Sequence, residues 1–212
     1  MPDEIPTPES IDSAFLTRVL RSAGFESAEV LDFAAERIGT GQLGRCYRFR
    51  LELAGDGYGA PRSLVGKFPS DDAKSRETRV ALGLYRKEVE FYRTLAPRLQ
   101  IRTPRCYFAQ VDGVGPDFAL ILEDMAPAIA GDQLAGCSVE VARAAALEIA
   151  GLHAPTWCDA KLRQVDWVVG SSQQIGKLPA YFQGRFEIAG VGIGKYRLFI
   201  IVVCLLLTLL LQ

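Results

Sequence analysis

The sequence predicts an α+β fold, in which a five-stranded antiparallel sheet and a helix are followed by the start of a second, helical region. Apolar residues recur at every second position in several short segments, which is typical of half-buried strands. Glycine and proline separate the segments, and a stretch rich in helix formers lies between the third and the fourth. The strands are expected at residues 29–38, 46–53, 63–68, 105–110 and 118–122.

Two further helices are expected, one before the sheet and one after it. The first covers residues 11–22 and is closed by Gly24, and its apolar stripe indicates a packing role. The second covers residues 139–152 and is rich in alanine, which favours a helix. Its apolar face is expected to need a packing partner.

A glycine-rich loop follows the first predicted strand. Gly39, Gly41 and Gly44 have the spacing G-x-G-x-x-G, a weak signal by itself because it also opens dinucleotide-binding folds. Apolar and charged residues then alternate from Tyr47 to Leu53, so the loop connects two strands and not a strand to a helix. Glycine lets backbone N–H groups approach phosphate oxygens, and kinases cover a nucleotide with such a hairpin.

Lys67 is the one charged residue of the short apolar segment at 63–68. An unpaired ammonium group among apolar neighbours is costly, so a partner is expected. Glu88 is the candidate partner, since it lies in the predicted helix at 78–95. Kinases hold the α- and β-phosphates with a strand lysine that a helix glutamate positions.

The alternative is that Lys67 is a solvated surface residue. Glu88 would then pair with a neighbour on its own helix, either Arg86 or Lys87. The glycine loop upstream favours the first interpretation.

The fifth predicted strand ends abruptly in Glu123, Asp124 and Met125, followed by Ala126 and Pro127. An apolar strand that breaks in this way resembles the hinge between the two lobes of a kinase, where exposed backbone would meet the adenine edge. The alternative is a buried strand that ends in an ordinary turn.

Five stretches together resemble the superfamily of aminoglycoside phosphotransferases and choline and ecdysteroid kinase-like proteins, which has a protein-kinase-like fold. The stretches are residues 39–44, the Lys67 strand, 86–92 with E-V-E-F-Y, 121–125, and 152–157 with L-H-A-x-x-W. The resemblance covers about residues 25 to 185. It implies an ATP-dependent phosphotransferase that acts on a small hydroxylated acceptor. The residues that it implies at the ATP site are Gly39, Gly41, Gly44, Lys67, Glu88, Glu123, Asp124 and Met125.

The resemblance also implies a catalytic loop H-x-D-x-x-x-x-N and a metal-binding Asp, which supply the base and the Mg ligands in the full-length family. The sequence contains one histidine, His153, and no aspartate lies two residues after it. We therefore expect a truncated family member, inactive alone, with no catalytic or metal residues to assign. The alternative function is a non-catalytic nucleotide-binding or membrane-tethered regulatory module.

Four segments are predicted along the chain. They are a terminal helix at 1–24, a kinase-like small lobe at 25–122, a hinge with part of a helical large lobe at 123–187, and a hydrophobic tail at 188–212. The tail contains an uncharged run from Leu198 to Leu211. As a helix this run would reach about 21 Å, less than the about 30 Å of a hydrocarbon core. The interpretations left open are a membrane anchor, a buried segment, and a frame or splice anomaly.

Charge and cysteine content narrow the function classes. The net charge is −1, with 24 Lys and Arg against 25 Asp and Glu, so no nucleic-acid partner is expected. The five cysteines form no C-x-x-C pair, which favours reduced thiols. We expect a cytoplasmic body, with the run from Leu198 to Leu211 as the candidate for membrane contact.

Overall fold

A computed structural model describes residues 4–39, 44–113, 115–129 and 136–169. The fold is α+β, and the chain divides into two compact units, Met1–Ala128 and Ile129–Gln212. The strands are β1 (Val30–Ile38), β2 (Arg45–Leu53), β3 (Ser63–Phe68), β4 (Cys106–Val111) and β5 (Phe118–Glu123). The α-helices are α1 (Ser13–Ser22), α2 (Ala73–Ala81), α3 (Leu84–Glu90), α4 (Val139–His153) and α5 (Asp166–Val169).

The first unit is built on one five-stranded antiparallel sheet with the order β1-β2-β3-β5-β4. All five predicted strands are confirmed, and their bounds differ from the expected ones by about one residue. In the register of the central strands, Lys67 on β3 lies opposite Cys46 on β2 and Leu120 on β5. Side chains that lie opposite each other on antiparallel strands share one face of the sheet, so these three point to the same side.

The other face of the sheet belongs to an apolar core that includes α1. Asp12 begins this helix by accepting a hydrogen bond from the Phe15 N–H, at 2.6 Å. Leu16 and Leu20 of α1 are fully buried in this core. The strand residues of the same core include Phe49, Leu51, Leu53, Leu64, Phe68, Ala119 and Ile121. Alternation along β2 and β3 therefore separates an apolar face from the face that carries Lys67.

The prediction of one continuous helix at 78–95 is wrong. Two helices, α2 and α3, take its place, because Gly83 has a left-handed backbone with φ of 64° and interrupts the hydrogen-bonding pattern. A π-helical turn, Phe91–Leu95, continues α3. The buried side chains of α3 are Tyr85, Glu88 and Val89.

The second unit contains α4, which confirms the helix predicted at 139–152. Ser138 caps the helix by accepting a hydrogen bond from the Val141 N–H, at 3.3 Å. Val139, Val141 and Leu147 are exposed, and Leu152 is buried. The predicted tail with its apolar run falls after residue 169 and lies outside the described residues.

Candidate functional site

The candidate site is centred on an ion pair between the Lys67 ammonium group and the Glu88 carboxylate. Both side chains are nearly buried, with exposed fractions of 12% for Lys67 and 9% for Glu88. The predicted pairing is therefore present, and the alternative of a solvated Lys67 is wrong. The ammonium group keeps two further N–H donors, for which no described residue provides an acceptor.

Strand alternation explains why Lys67 points away from the apolar core. Its neighbours Gly66 and Phe68 face the core, so the lysine between them must face the helix side. A Cβ atom at Gly66 would lie 2.6 Å from Cε2 of Phe49 and 2.7 Å from Cε2 of Phe68. Glycine at this position thus lets two aromatic rings fill the core directly behind the ion pair, which fixes the strand that carries Lys67.

The ion pair has largely buried surroundings. Burial raises the pKa of the Cys46 thiol, and the charge of Lys67 offsets this only in part. Burial also raises the pKa of the Tyr92 hydroxyl, and the charge of Glu88 adds to the effect. Both groups are therefore neutral at physiological pH. In such a setting, electrostatic interactions are stronger than they are in water.

The structure describes two of the three predicted glycines of the loop. Gly39 has a φ of 75°, a left-handed conformation that favours glycine. A Cβ atom at Gly44 would lie 2.9 Å from the carbonyl oxygen of Phe68, so the close approach of β2 to β3 requires glycine there. Gly41 lies outside the described residues. Local backbone geometry therefore explains why glycine occupies both described positions. A role of these glycines in binding phosphate stays a prediction.

Ion pairs fix the start of β2 just after this loop. Arg45 donates to Glu9 at 2.7 Å and lies 3.2 Å from a carboxylate oxygen of Asp71. Its Nε also donates to the Pro69 carbonyl oxygen, at 3.1 Å. Through these contacts the base of the loop is held to the chain segments before β1 and after β3.

The predicted hinge residues, Glu123, Asp124 and Met125, differ from one another in their contacts. Glu123 is the last residue of β5, and its carboxylate accepts from Arg102 at 2.7 Å and from the Arg105 N–H at 2.9 Å. The hydrogen bond from Arg102 lowers the pKa of this carboxyl group. The Glu123 side chain is thus occupied by structural contacts.

Asp124 is also tied into the sheet. Its carboxylate accepts two hydrogen bonds from Arg48, at 2.7 and 3.1 Å, and one from the Ser63 hydroxyl at 2.5 Å. Burial by itself would raise the pKa of Asp124, but the bonds from Arg48, Ser63 and the Ala126 N–H hold it below its ordinary value. These contacts connect the end of β5 to β2 and β3.

Met125 is the third predicted hinge residue, and it is exposed. The exposed fraction of the whole residue is 39%. Its carbonyl oxygen accepts from the Ala128 N–H at 2.9 Å. Its own N–H has no acceptor among the residues that the structure describes.

Arg79 is a buried residue near the ion pair that the sequence did not indicate. Only 7% of this residue on α2 is exposed, and the charge of Glu88 acts on it. Lys74 and Arg76 belong to the same helix, so its sequence context is that of a solvated basic helix face and gives no signal. The packing role of Gly66 was not predicted either. A glycine directly before the strand lysine could have indicated close packing on the opposite face of the sheet.

Comparisons with protein-family models, with curated proteins and with solved structures found no match. Within the described ranges, no group of three or more His, Cys, Asp or Glu side chains could hold a metal ion. Nor does any helix in that part of the chain combine the length and the apolar character needed to cross a membrane.

Proposed function

We propose that this chain binds ATP through a kinase-like small lobe and is related to the phosphotransferases of small hydroxylated molecules. The order of its elements supports the proposal: a strand, a glycine loop, two strands, helices and two further strands. Lys67 lies on the third strand and Glu88 on the helix before the fourth. This is the arrangement by which kinases position the lysine for the α- and β-phosphates.

The buried pair of Lys67 and Glu88 carries the proposal. Burying an ion pair is a poor way to stabilise a fold, because apolar side chains of similar size often do as well or better. A buried pair at this position is better explained by a function that needs a fixed cation. Lys67 fits that function, because Glu88 accepts only one of its hydrogen bonds.

Met125 is the proposed contact for the adenine base. Its backbone N–H follows the last strand, while the neighbouring carboxylates of Glu123 and Asp124 are held by arginines. An unbonded backbone N–H can donate to a ring nitrogen of adenine. We assign the adenine contact to this backbone and not to the side chains of Glu123 and Asp124.

Binding without efficient transfer is the activity that we propose for the chain by itself. Phosphoryl transfer in kinases also uses metal ions and a residue that accepts the proton of the attacking hydroxyl. The one histidine, His153, ends α4 and precedes Ala154 and Pro155. The described residues contain no group of three or more His, Cys, Asp or Glu side chains that could hold a metal ion, so we derive no step through the metal.

Calorimetric titration with ATP tests the proposal. Lys67→Ala should weaken ATP binding by about tenfold or more, because a hydrogen bond to a charged group contributes about 1.5–3 kcal/mol. The exposed Lys74 supplies the control, and Lys74→Ala should bind ATP as the wild type does.

A double variant separates binding from folding. Lys67→Met combined with Glu88→Leu leaves no unpaired charge of this pair, so it should fold and still bind ATP weakly. Equal ATP affinities for the wild type and for a folded double variant would remove Lys67 from the site.

A further inference from the structure

Arg79 is a buried cation whose Nε–H has no acceptor among the described residues. Its Nε is buried and makes no hydrogen bond. The aromatic ring of Tyr85 lies beside it, with the guanidinium carbon 5.4 Å from the ring centroid. A ring face attracts a cation but does not take the place of a hydrogen-bond acceptor, so this contact leaves the Nε–H unsatisfied.

The charge of Arg79 faces a carboxylate that it shares with Lys67. Burial lowers the pKa of its guanidinium, and the charge of Glu88 opposes this shift. Glu88, however, is already bonded to Lys67. Since Cys46 and Tyr92 are neutral, these buried groups comprise two cations and one carboxylate. A buried excess positive charge is costly unless an anion compensates it.

Arg79 lies close to the pair of Lys67 and Glu88, because its guanidinium packs against Tyr85, three residues before Glu88 on α3. The charges of Lys67, Glu88 and Arg79 all act on the thiol of Cys46, which lies opposite Lys67 across the strand pair. A guanidinium group offers a planar fork of donors that matches phosphate oxygens, whereas an ammonium group acts as a point charge. The two cations are therefore complementary in binding one polyphosphate.

We propose that Arg79 is a second phosphate-binding residue, which donates to phosphate oxygens of the nucleotide beside Lys67. The proposal rests on the nucleotide site described above and adds to it a residue from α2. The phosphate group is the shared chemistry of ATP and inorganic tripolyphosphate. Both ligands are needed in the test, because only ATP also carries the adenine base.

The experiment measures the affinities of the full chain for ATP, tripolyphosphate and adenosine. Arg79→Met should lose about tenfold or more in affinity for ATP and for tripolyphosphate, since charge-assisted hydrogen bonds are lost. Its affinity for adenosine should not change. Arg76→Met removes the same group from the same helix one turn earlier and should bind all three ligands as the wild type does.

Thermal unfolding provides a second measurement. Without ligand, Arg79→Met should melt at or above the temperature of the wild type, because an unsatisfied buried charge is removed. Tripolyphosphate should raise the melting temperature of the wild type and leave that of Arg79→Met unchanged. A lower melting temperature for Arg79→Met, with the ligand-induced rise preserved, would overturn the proposal and leave Arg79 as a packing residue.

The outcomes separate the two proposals. If the wild type binds ATP and Arg79→Met binds it equally well, the proposal for Arg79 is wrong and the proposed nucleotide site is retained. If tripolyphosphate binding depends on Arg79 but ATP binds no more tightly than tripolyphosphate, the phosphate site stands and the adenine contact is wrong. If the wild type binds neither ligand, both proposals are wrong.

Discussion

The two faces of the central sheet are built on opposite principles. One face packs Phe49 and Leu64 with Leu20 of α1, and all three are fully buried. The other face carries Lys67, paired with the buried Glu88 of α3. Apolar burial is favourable at every position of the first face, whereas each charge on the second must be compensated by a partner. This difference indicates that the first face stabilises the fold and that the second face is the candidate for function.

The largest expected effect lies on the apolar face. Phe49→Ala removes a fully buried ring that packs edge-on against Phe33 and Phe68, so the free energy of unfolding should fall by about 3–5 kcal/mol. Urea unfolding measures this loss, which should be the same at low and at high salt. The control is Arg50→Ala on the same strand, where an exposed ion pair with Glu36 contributes about 0–1 kcal/mol. A loss for Phe49→Ala as small as that of the control would contradict the description of this face.

A similar loss from a different cause is expected on the charged face. Glu88→Leu leaves the nearly buried Lys67 without its partner and should lower the free energy of unfolding by about 3–5 kcal/mol. Adding Lys67→Met should restore most of that stability, because the unpaired charge is then gone. Urea unfolding of the two single variants and the double variant gives the coupling energy between the two positions. Losses that simply add would mean that the two charges do not depend on each other.

A smaller effect, with a defined pH dependence, is expected at the end of β5. Asp124→Asn weakens charge-assisted hydrogen bonds from Arg48 and Ser63 and should cost about 1.5–3 kcal/mol at pH 7. The pKa of Asp124 is lowered in the folded state, so its contribution is present above the unfolded value of about 3.9. This contribution is lost as the pH falls through the lower folded pKa.

Unfolding measured between pH 7 and pH 3 checks this dependence. The difference in stability between the wild type and Asp124→Asn should shrink as the solution is acidified. A difference that stays constant or grows toward pH 3 would mean that the carboxylate form of Asp124 is not what stabilises this end of the sheet.

Local patterns were sufficient to predict the sheet. Alternation of apolar and polar residues from Tyr47 to Leu53 specified β2, and the lone charge among apolar neighbours identified Lys67. The partner Glu88 could be predicted because a buried ammonium group needs a carboxylate. These features depend on residues close together in the chain, or on a charge balance that the sequence itself shows.

Other features depend on three-dimensional packing and could not be predicted. Gly83 stands in a stretch of helix formers, where a single glycine is often tolerated, yet here it separates α2 from α3. Arg79 looks like a solvated residue until the structure shows it buried beside Tyr85. Glu123 and Asp124 were expected to present backbone to the adenine, and nothing in the sequence indicated that arginines distant in the chain hold their side chains.

The most direct test of the nucleotide site is to identify which lysine reacts with an acyl-phosphate derivative of ATP. This reagent transfers its acyl group to an amine held close to the phosphates, and mass spectrometry locates the modified residue. Lys74 is an exposed control, and Lys87 is a second one, because burial lowers its pKa and leaves more of its amine in the reactive form. We predict that Lys67 is acylated and that excess ATP prevents its acylation while the controls are unaffected. Acylation of the three lysines to the same extent, or acylation of Lys67 that ATP does not reduce, would contradict the account.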